Sequence, residues 1–376
     1  MTLKSHVLCQ LGHDHVVVAP GPQDEERDTT PEGVRAGGGR SRVIRVSGPA
    51  LPYDPTYHLL WRIDKIRALI LRERPDVLEI DSPYVASASA LSVPRRAFGI
   101  RTFVWHADFI DTYLRVLLER RTSSRVADVA LEPLWAMVRT IARGCDATLV
   151  AARWQVEKLR AHGVPRVTHV PFGVEKSVFA PAARSEEARR ELSAGAPDGA
   201  ALLVGVGRFA WEKRWDVVLD AFLQVTSSVP ARLVLFGDGP ERAAMVARVA
   251  GRTDVVFAGF ERDREKLARA LASADVLMHG CPFETFGLGV AEALCAGLPV
   301  VVPDEGGAAE LADGGGGIRY KTGDANGCAR AVLDLLSNDP AKARVHAIHA
   351  AASILDVREQ FANACDTYRA LLAGRS

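Results

Sequence analysis

Two glutamates stand eight positions apart around a glycine-rich helix start. Glu284 lies in a polar turn, and Glu292 lies about a turn and a half inside the helix predicted to follow. Gly287, Leu288 and Gly289 open that helix, so their backbone N–H groups lack intrahelical acceptors and lie at the positive end of its dipole. This pattern favours an anion site flanked by two carboxylates. On spacing alone the simpler alternative is favoured, in which Glu284 complements the helix dipole and Glu292 is a solvated mid-helix glutamate.

A cluster of cations follows the strand predicted over Ala201 to Val206. Gly207, Arg208 and Lys213 lie where that strand gives way to a helix. Glycine allows close backbone approach, arginine offers a forked donor, and lysine offers a compact charge. The arrangement suits phosphate groups, and by spacing alone two solvated surface cations are an equal alternative.

A titratable pair ends the strand predicted over Arg101 to Trp105. His106 and Asp108 follow it directly, and ligands of parallel α/β sheets bind at the carboxyl ends of the strands. The pair is therefore a candidate for catalysis. The alternative is a histidine that serves only to pack the strand end.

Strands alternate with amphipathic helices along the whole chain, which is the pattern of doubly wound parallel sheets. At 376 residues the chain is too long for one ordinary core. A polar, Ala- and Gly-rich segment from Pro181 to Gly199 predicts a linker, which separates residues 1–180 from residues 181–354.

The first residues predict the end of a helix and then a strand from Val16 to Ala19. An α/β domain ordinarily opens with a strand and a tight glycine-rich loop. We therefore expect that a first strand and loop are missing, through a misplaced start codon or a truncated gene. The composition of Gly21 to Ser41 predicts a mobile surface loop.

Composition excludes several classes of function. The net charge is +1, so we expect no overall attraction for nucleic acid. Six scattered cysteines without metal-ligand spacing predict reduced thiols in a cytoplasmic protein. No apolar run is long enough to span a bilayer or to form a secretory signal. The glycines after the strand Arg232 to Phe236 do not fit a dinucleotide fingerprint, which argues against a nicotinamide cofactor.

Residues 109–126 combine an apolar stripe with four arginines. This pattern predicts a basic amphipathic helix, which either lies on an anionic membrane surface or docks on its own sheet. Both alternatives remain open at the level of sequence.

Three stretches resemble one known family. The sequence from Glu284 to Pro303 resembles the motif of family-4 retaining glycosyltransferases of the GT-B fold, in which two glutamates precede a Gly-x-Pro-Val-Val strand. The segment from Gly207 to Lys213 is similar to that family's Gly-Arg-x-x-x-x-Lys diphosphate clamp. The segment from His106 to Asp108 is similar to its His-Thr-Asp segment, with Ala107 in place of Thr. The resemblance covers nearly the whole chain from its first helix.

The resemblance implies two Rossmann-like domains that face a cleft, with residues 355–376 as a crossover helix that completes the first domain. It implies transfer of a hexose, mannose or glucose, from a nucleoside-diphosphate sugar to a hydroxyl of a lipid-linked or glycan acceptor, with retention at the anomeric carbon. It requires neither a metal nor a cofactor. It also implies a cytoplasmic protein that contacts the inner membrane surface through its acceptor.

Roles for the donor-side residues follow from the same resemblance. Arg208, Lys213 and the helix start at 287–289 hold the diphosphate. Glu292 holds the ribose, and Glu284 holds the sugar hydroxyls.

The remaining two roles fall in the first domain. His106 presses on the donor sugar as a catalytic residue beside Glu284, and Asp108 lies on the acceptor side.

Two rival functions remain. A nucleotide-sugar epimerase shares the architecture and the donor, and it would release epimerised nucleotide sugar without an acceptor. A catalytically silent nucleotide-sugar-binding protein would bind the donor without turnover.

Overall fold

The structure is a computed structural model that describes residues 2–34, 37–51 and 54–375. The chain divides into two compact units. The first contains Met1–Ile110, Leu114–Val170 and Val357–Ser376, and the second contains Asp111–Tyr113 and Pro171–Asp356.

The first unit is built on two sheets and a hairpin. Its described strands are, in chain order, β1 (His15–Gly21), β2 (Glu25–Asp28), β3 (Ser41–Ser47), β4 (Ala50–Leu51), β5 (Asp54–His58), β6 (Val77–Ile80), β7 (Ile100–Trp105), β8 (Ala147–Val150) and β9 (Val167–His169). β1 pairs with β3 in parallel, and β2 pairs with β3 antiparallel. β4 and β5 form the hairpin, and β6 to β9 form a four-stranded parallel sheet in that order. Nearly every residue of β7 and β8 is buried, as expected of strands covered on both sides, and the buried side chains include Arg101, Thr102 and Thr148 beside the apolar ones.

The prediction of a surface loop over Gly21 to Ser41 is wrong in part. The exposed, charged residues of β2 lie in this segment and pair with the edge of β3 through their backbones. Composition missed the strand because its side chains all face solvent, so no period-2 alternation marks it. Arg35 and Ala36, also in that segment, lie outside the described residues.

The helices of the first half of the chain surround these strands. They are α1 (Thr2–Gln10), α2 (Ile63–Glu73), α3 (Val85–Leu91), α4 (Val116–Glu119), α5 (Ser124–Arg143) and α6 (Arg153–Ala161). α2 begins five residues after the end of β5. α1 and β1 confirm the helix, stop and strand that the first residues predict.

The single basic helix predicted over 109–126 is broken in two. A π-helical turn over Ile110–Arg115 leads into α4, and α5 starts only at Ser124. The Thr122 hydroxyl donates to the carbonyl of Leu118, 2.9 Å away, which ends α4 before the next helix begins.

Aromatic stacking marks the core of the first unit. Trp135 on α5 is 1% exposed, and its ring stacks on Trp105 at the end of β7 with centroids 5.9 Å apart. The imidazole of His162 stacks on the indole of Trp135 as well, with ring centroids 3.7 Å apart. This packing fixes the carboxyl end of β7, the strand that carries His106.

The second unit is built on one six-stranded parallel sheet. The strands of this part of the chain are β10 (Gly173–Val174), β11 (Ala201–Val206), β12 (Ala231–Phe236), β13 (Val255–Gly259), β14 (Val276–Met278), β15 (Val300–Pro303), β16 (Gly317–Tyr320) and β17 (Leu355–Asp356). The order in the sheet is β13-β12-β11-β14-β15-β16, and β10 pairs separately with β17. The order therefore reverses between β11 and β14. In open α/β sheets, ligands bind in the crevice at such a reversal.

The remaining helices complete the two units. They are α7 (Glu186–Leu192), α8 (Trp215–Val225), α9 (Arg242–Arg248), α10 (Arg264–Ser273), α11 (Leu288–Cys295), α12 (Gly306–Ala312), α13 (Ala325–Ser337), α14 (Pro340–Ala351) and α15 (Val357–Ala373). α15 belongs to the first unit, where the Tyr368 hydroxyl donates to Glu79 at the end of β6. Lys4 of α1 pairs with the same carboxylate.

The prediction of a linker over Pro181 to Gly199 is wrong. α7 lies in that segment, and the Ser185 hydroxyl caps it by accepting from the backbone N–H of Ala188. Arg189 forms a forked ion pair with Asp275, with both N–O distances 2.9 Å. Composition missed these partners because they lie about 85 residues further along the chain.

Candidate active site

The reversal point of the second sheet gathers most of the residues singled out from the sequence. The loop after β11 carries Arg208 and leads to a 3-10 turn over Trp211–Lys213. The loop after β14 carries Glu284 and ends at Gly287, the residue before α11. β11 and β14 are hydrogen-bonded neighbours, so both loops leave the same edge of the sheet.

Lys213 and Glu284 are in direct contact. The Lys213 Nζ lies 2.5 Å from Glu284 Oε1, and the two side chains are only 22% and 18% exposed. Burial opposes the charge on Lys213, yet attraction to Glu284 raises the pKa of the ammonium above its usual value. Burial likewise opposes the charge on Glu284, but the adjacent His279 and Lys213 hold its pKa below its usual value. The pair is ionised.

His279 is a site residue that the sequence argument missed. It follows β14 directly, and its Nε2 lies 3.5 Å from Glu284 Oε1. That nitrogen is buried and has no hydrogen-bond partner in the described structure. Burial lowers the pKa of the imidazole to about 4, so the ring is neutral at neutral pH. Its position at the carboxyl end of a central strand was the available signal.

Arg208 is held by a second carboxylate. Its guanidinium lies 2.7 Å from Glu212 Oε1 and 3.4 Å from the Tyr113 hydroxyl, while its side chain is 60% exposed. Glu212 is nearly fully buried, and its other oxygen, Oε2, has no hydrogen-bond partner in the described structure. Glu212 was also missed, although it stands inside the motif that carries Arg208 and Lys213.

The helix start at 287–289 has the geometry that the glycines predict. Gly287 adopts φ +92°, a left-handed conformation that favours glycine, and α11 begins at the next residue. The backbone N–H of Gly307 donates to the carbonyl of Glu284 at 2.7 Å. A Cβ on Gly307 would lie 2.5 Å from the carbonyl oxygen of Phe286, so only glycine allows α12 to approach this closely. The backbone of α12 thus fixes the loop that carries Glu284.

Glu292 lies on α11 and is 3% exposed. Its Oε1 is 2.7 Å from a guanidinium nitrogen of Arg264, which also lies 3.6 Å from Glu175. Burial raises the pKa of Glu292, and Arg264 opposes that shift only in part. The sequence argument did not anticipate this cation.

His106 lies in the first unit, where β6 and β7 end side by side. Its Nε2 lies 3.1 Å from the backbone carbonyl of Asp81 and 3.8 Å from the Asp81 carboxylate. Nε2 therefore carries the proton that bonds the carbonyl. Asp81, a further residue missed at the sequence level, ends β6 in the same way as His106 ends β7.

Asp108 is only 4% exposed, and its carboxylate forms an ion pair with Lys158 of α6. The contact fixes the loop after β7 onto α6. The acceptor-side role expected of Asp108 stays a prediction.

Three potential metal ligands lie near Lys213. The ligand atoms of His279, Cys281 and Glu284 lie within 4.8 Å of one another, the one such group among the described residues. The Lys213 ammonium already occupies a carboxylate oxygen of this group, and burial raises the pKa of the Cys281 thiol to about 12. A metal ion bound by this group would have to displace both the ammonium and the thiol proton.

The second unit thus offers two cations and an open helix start at the edge of the sheet where loops from adjacent strands meet. Such groups stabilise negative charge that develops on a leaving phosphate. The carboxylates beside them neutralise the site when no anion is bound.

Comparison with known proteins agrees with this geometry. The profile described as "Glycosyl transferases group 1" matches residues 200–338, and that described as "Glycosyltransferase Family 4" matches residues 5–178. A GDP-mannose-dependent alpha-mannosyltransferase of Mycobacterium tuberculosis is 34% identical over 308 residues, which are 81% of this chain and 74% of that protein.

A second relative and a solved structure extend the match. The GDP-mannose-dependent alpha-(1-6)-phosphatidylinositol dimannoside mannosyltransferase of the same species is 31% identical, over 78% of this chain and 72% of its own. The sucrose-phosphate synthase of Thermosynechococcus elongatus aligns with a TM-score of 0.74 at 17% identity, over 96% of this chain and all of its own.

The fold and the site therefore define a glycosyltransferase with the GT-B architecture of two Rossmann-like units. The chain belongs to the family of group 1 glycosyltransferases, glycosyltransferase family 4, as its motifs predict. Among the described residues, no helix has both the length and the apolar character needed to cross a membrane.

The buried neutral histidine predicts a pH-dependent stability. The pKa of His279 is 6.5 in the unfolded chain and about 4 in the folded protein. As pH falls from 6.5 towards about 4, the unfolded chain therefore binds a proton at this residue and the folded protein does not, so the free energy of unfolding decreases. At about pH 5 this loss amounts to about 2 kcal/mol. We expect the melting temperature of His279→Gln to decrease less between about pH 7 and about pH 5 than that of the parent protein.

The control is His346→Gln, since His346 is exposed on α14. This variant should follow the parent protein. Equal losses in the parent and in His279→Gln would show that the imidazole does not titrate abnormally.

Proposed function

We propose that this chain transfers mannose from GDP-mannose to a hydroxyl of a lipid-linked or glycan acceptor, with retention at the anomeric carbon. The observation that carries the proposal is the contact of Lys213 with Glu284 beside the open start of α11, at the reversal point of the sheet. The names of the two mycobacterial relatives support mannose and guanosine diphosphate over the glucose alternative.

The chemistry needs a stabilised leaving group more than a strong nucleophile. Lys213 and Arg208 would neutralise the diphosphate as the bond to the sugar breaks, and the N–H groups at 287–289 would bond its oxygens. The Arg208 side chain is 60% exposed, and Glu212 contacts one terminal nitrogen of its guanidinium, so the remaining N–H groups would serve a ligand.

The carboxylates would hold the neutral parts of the donor. Glu284, kept ionised beside Lys213, accepts hydrogen bonds from sugar hydroxyls. Glu292 accepts from the ribose, with Arg264 fixing its orientation at 2.7 Å. The catalytic role expected of His106 remains a prediction.

Replacement of Lys213 tests the clamp. Lys213→Met keeps the length of the side chain and removes its charge, so the diphosphate loses a charge-assisted bond of about 1.5–3 kcal/mol. We expect GDP-mannose to bind about tenfold to hundredfold more weakly, measured by calorimetric titration against a panel that includes UDP-glucose.

Lys266→Met is the matched control, since Lys266 is a 60% exposed lysine of α10. It should bind like the parent protein. Unchanged affinity in Lys213→Met would remove the lysine from the clamp, and tighter binding of UDP-glucose would overturn the choice of donor. Binding without transfer to any acceptor would favour a silent binding protein, and epimerised free nucleotide sugar would favour an epimerase.

We also propose that the transfer needs no metal ion. Lys213 and Arg208 supply the positive charge that a divalent cation would otherwise supply to the diphosphate. Turnover in excess EDTA should equal turnover in magnesium. A loss of turnover in EDTA that added magnesium restores would contradict the proposal.

The acceptor side is proposed to contact the inner surface of the cytoplasmic membrane through α4 and the start of α5. Leu117, Val126 and Val129 are 54%, 52% and 77% exposed there. The intervening turn and the first turn of α5 carry the exposed arginines Arg121 and Arg125. Apolar side chains beside arginines suit an anionic bilayer surface.

Sedimentation with vesicles tests this contact. We expect the protein to bind vesicles that contain phosphatidylglycerol, to bind phosphatidylcholine vesicles weakly, and to dissociate as salt is raised. Val129→Glu should weaken binding, because it places a charge on the contacting face.

Val345→Glu, at a 47% exposed position of α14 in the second unit, is the control and should bind like the parent protein. Equal binding of the parent and Val129→Glu would rule out this face.

A further inference from the structure

The environment of His279 has a feature that the donor clamp does not explain. The residue is 7% exposed, and its Nε2 faces Glu284 Oε1 at 3.5 Å without a hydrogen-bond partner in the described structure. An unpaired buried polar atom costs about 1–3 kcal/mol, so its retention beside the site calls for a function.

The tautomer of His279 determines what this nitrogen offers. The neutral ring carries one proton, and Nε2 makes no hydrogen bond in the described structure. In the tautomer that carries the proton on Nδ1, Nε2 has a lone pair, which faces the Glu284 carboxylate oxygen at 3.5 Å. Two acceptors face each other, and a proton between them would bond both.

The Lys213 ammonium explains why that proton is absent in the free protein. Its Nζ lies 2.5 Å from the same oxygen, Glu284 Oε1, so the carboxylate already has a cation. The positive charge of Lys213 also lowers the pKa of His279, after burial itself. One carboxylate therefore has two potential cationic partners, and only one is charged at a time.

A bound diphosphate changes this balance. It brings two negative charges to the edge where Lys213 and Arg208 lie, and it competes with Glu284 for the ammonium. Negative charge near an imidazole favours its protonated form, and so does the withdrawal of a neighbouring cation.

We propose that His279 takes up a proton from solvent at Nε2 when the donor binds, and that the imidazolium then replaces Lys213 as the partner of Glu284. This rests on the proposed role of Lys213 as the diphosphate clamp. One N–H bond forms on His279, and no other covalent bond changes. His279 is a positioning residue, because it acts on the donor through Glu284.

Replacement of Lys213 by the imidazolium of His279 keeps both the diphosphate clamp and the sugar-binding carboxylate charged. The Lys213 ammonium can then bind the leaving diphosphate. Glu284 stays ionised, pairs with His279 and accepts hydrogen bonds from the sugar hydroxyls. Without a second cation, Glu284 would be left as an uncompensated buried charge, which costs several kcal/mol. When the nucleoside diphosphate dissociates, His279 releases its proton to solvent and the Lys213 ammonium pairs with Glu284 again.

The other groups around His279 do not replace it in this role. Its own loop contributes Glu284 and the protonated thiol of Cys281. The 3-10 turn before α8 contributes Lys213 and, behind it, Glu212. From β16, the hydroxyl of Tyr320 donates to the backbone carbonyl of His279 at 2.8 Å and remains protonated, because burial raises its pKa.

Calorimetric titration in buffers of different ionisation enthalpy measures the proton directly. GDP-mannose is the probe, since its diphosphate is esterified at both ends and has no proton of its own to exchange near neutral pH. We expect the observed heat to depend on the buffer in the sense of proton uptake, up to one proton per donor bound, and the affinity to rise as pH falls. His279→Gln should abolish the buffer dependence.

His346→Gln serves as the control and should retain the uptake, because this exposed histidine lies on α14 away from the clamp. Heat that is independent of the buffer in the parent protein would overturn the proposal, and so would an uptake that persists in His279→Gln. Should that variant not fold, the NMR signal of His279 in the isotope-labelled parent, with and without donor, gives the same answer.

The two proposals fail in different ways. Absence of any GDP-mannose binding would refute the proposed donor. Binding without proton uptake would leave the donor and the clamp intact and refute only the role of His279.

Discussion

The buried ion pair between Lys213 and Glu284 is the interaction on which the second unit's site depends. It joins the turn before α8 to the loop after β14, two segments about 70 residues apart in the chain. Removing either partner would leave a buried charge uncompensated, a loss of about 3–5 kcal/mol. Each of the two charges needs a partner of opposite sign. An anionic ligand could replace Glu284 as the partner of the Lys213 ammonium. In the proposed function, the two side chains of this structural contact are also the ones that bind the donor.

Backbone packing holds this pair in register. Gly280 lies so close to the backbone carbonyls of Lys213 and Arg214 that a Cβ would stand 2.7 Å and 2.6 Å from their oxygens. On the other side, Gly307 bonds the carbonyl of Glu284. Glycine at both positions allows three segments to meet without intervening side chains. The positions of the functional side chains thus follow from close contacts of the main chain rather than from the sheet alone.

Sequence predicted well what is local and periodic. The strand predicted over Ala201 to Val206 has the bounds of β11, because its apolar run ends at Gly207. The linker over 181–199 failed because the partners of α7 are remote in sequence. Glu212 was missed for a related reason, because only its burial beside Arg208 marks it. His279 was missed although its position directly after β14 was a signal. The motifs predicted which residues of the candidate site come together, and the ion pairs among them depend on contacts between segments remote in the sequence.

Three cations of the second unit each contact a carboxylate: the two of the proposed clamp, and the arginine beside Glu292. Lys213 pairs with Glu284, Arg208 with Glu212, and Arg264 with Glu292. Such a site has little net charge without a ligand, so its electrostatic attraction for anions in general is weak. A ligand must offer enough negative charge to displace a resident carboxylate, and it must also offer hydroxyl groups that the displaced carboxylates can accept from. A nucleoside-diphosphate sugar has both, whereas free phosphate has only the first, so in the proposed function the pairing would select for the complete donor.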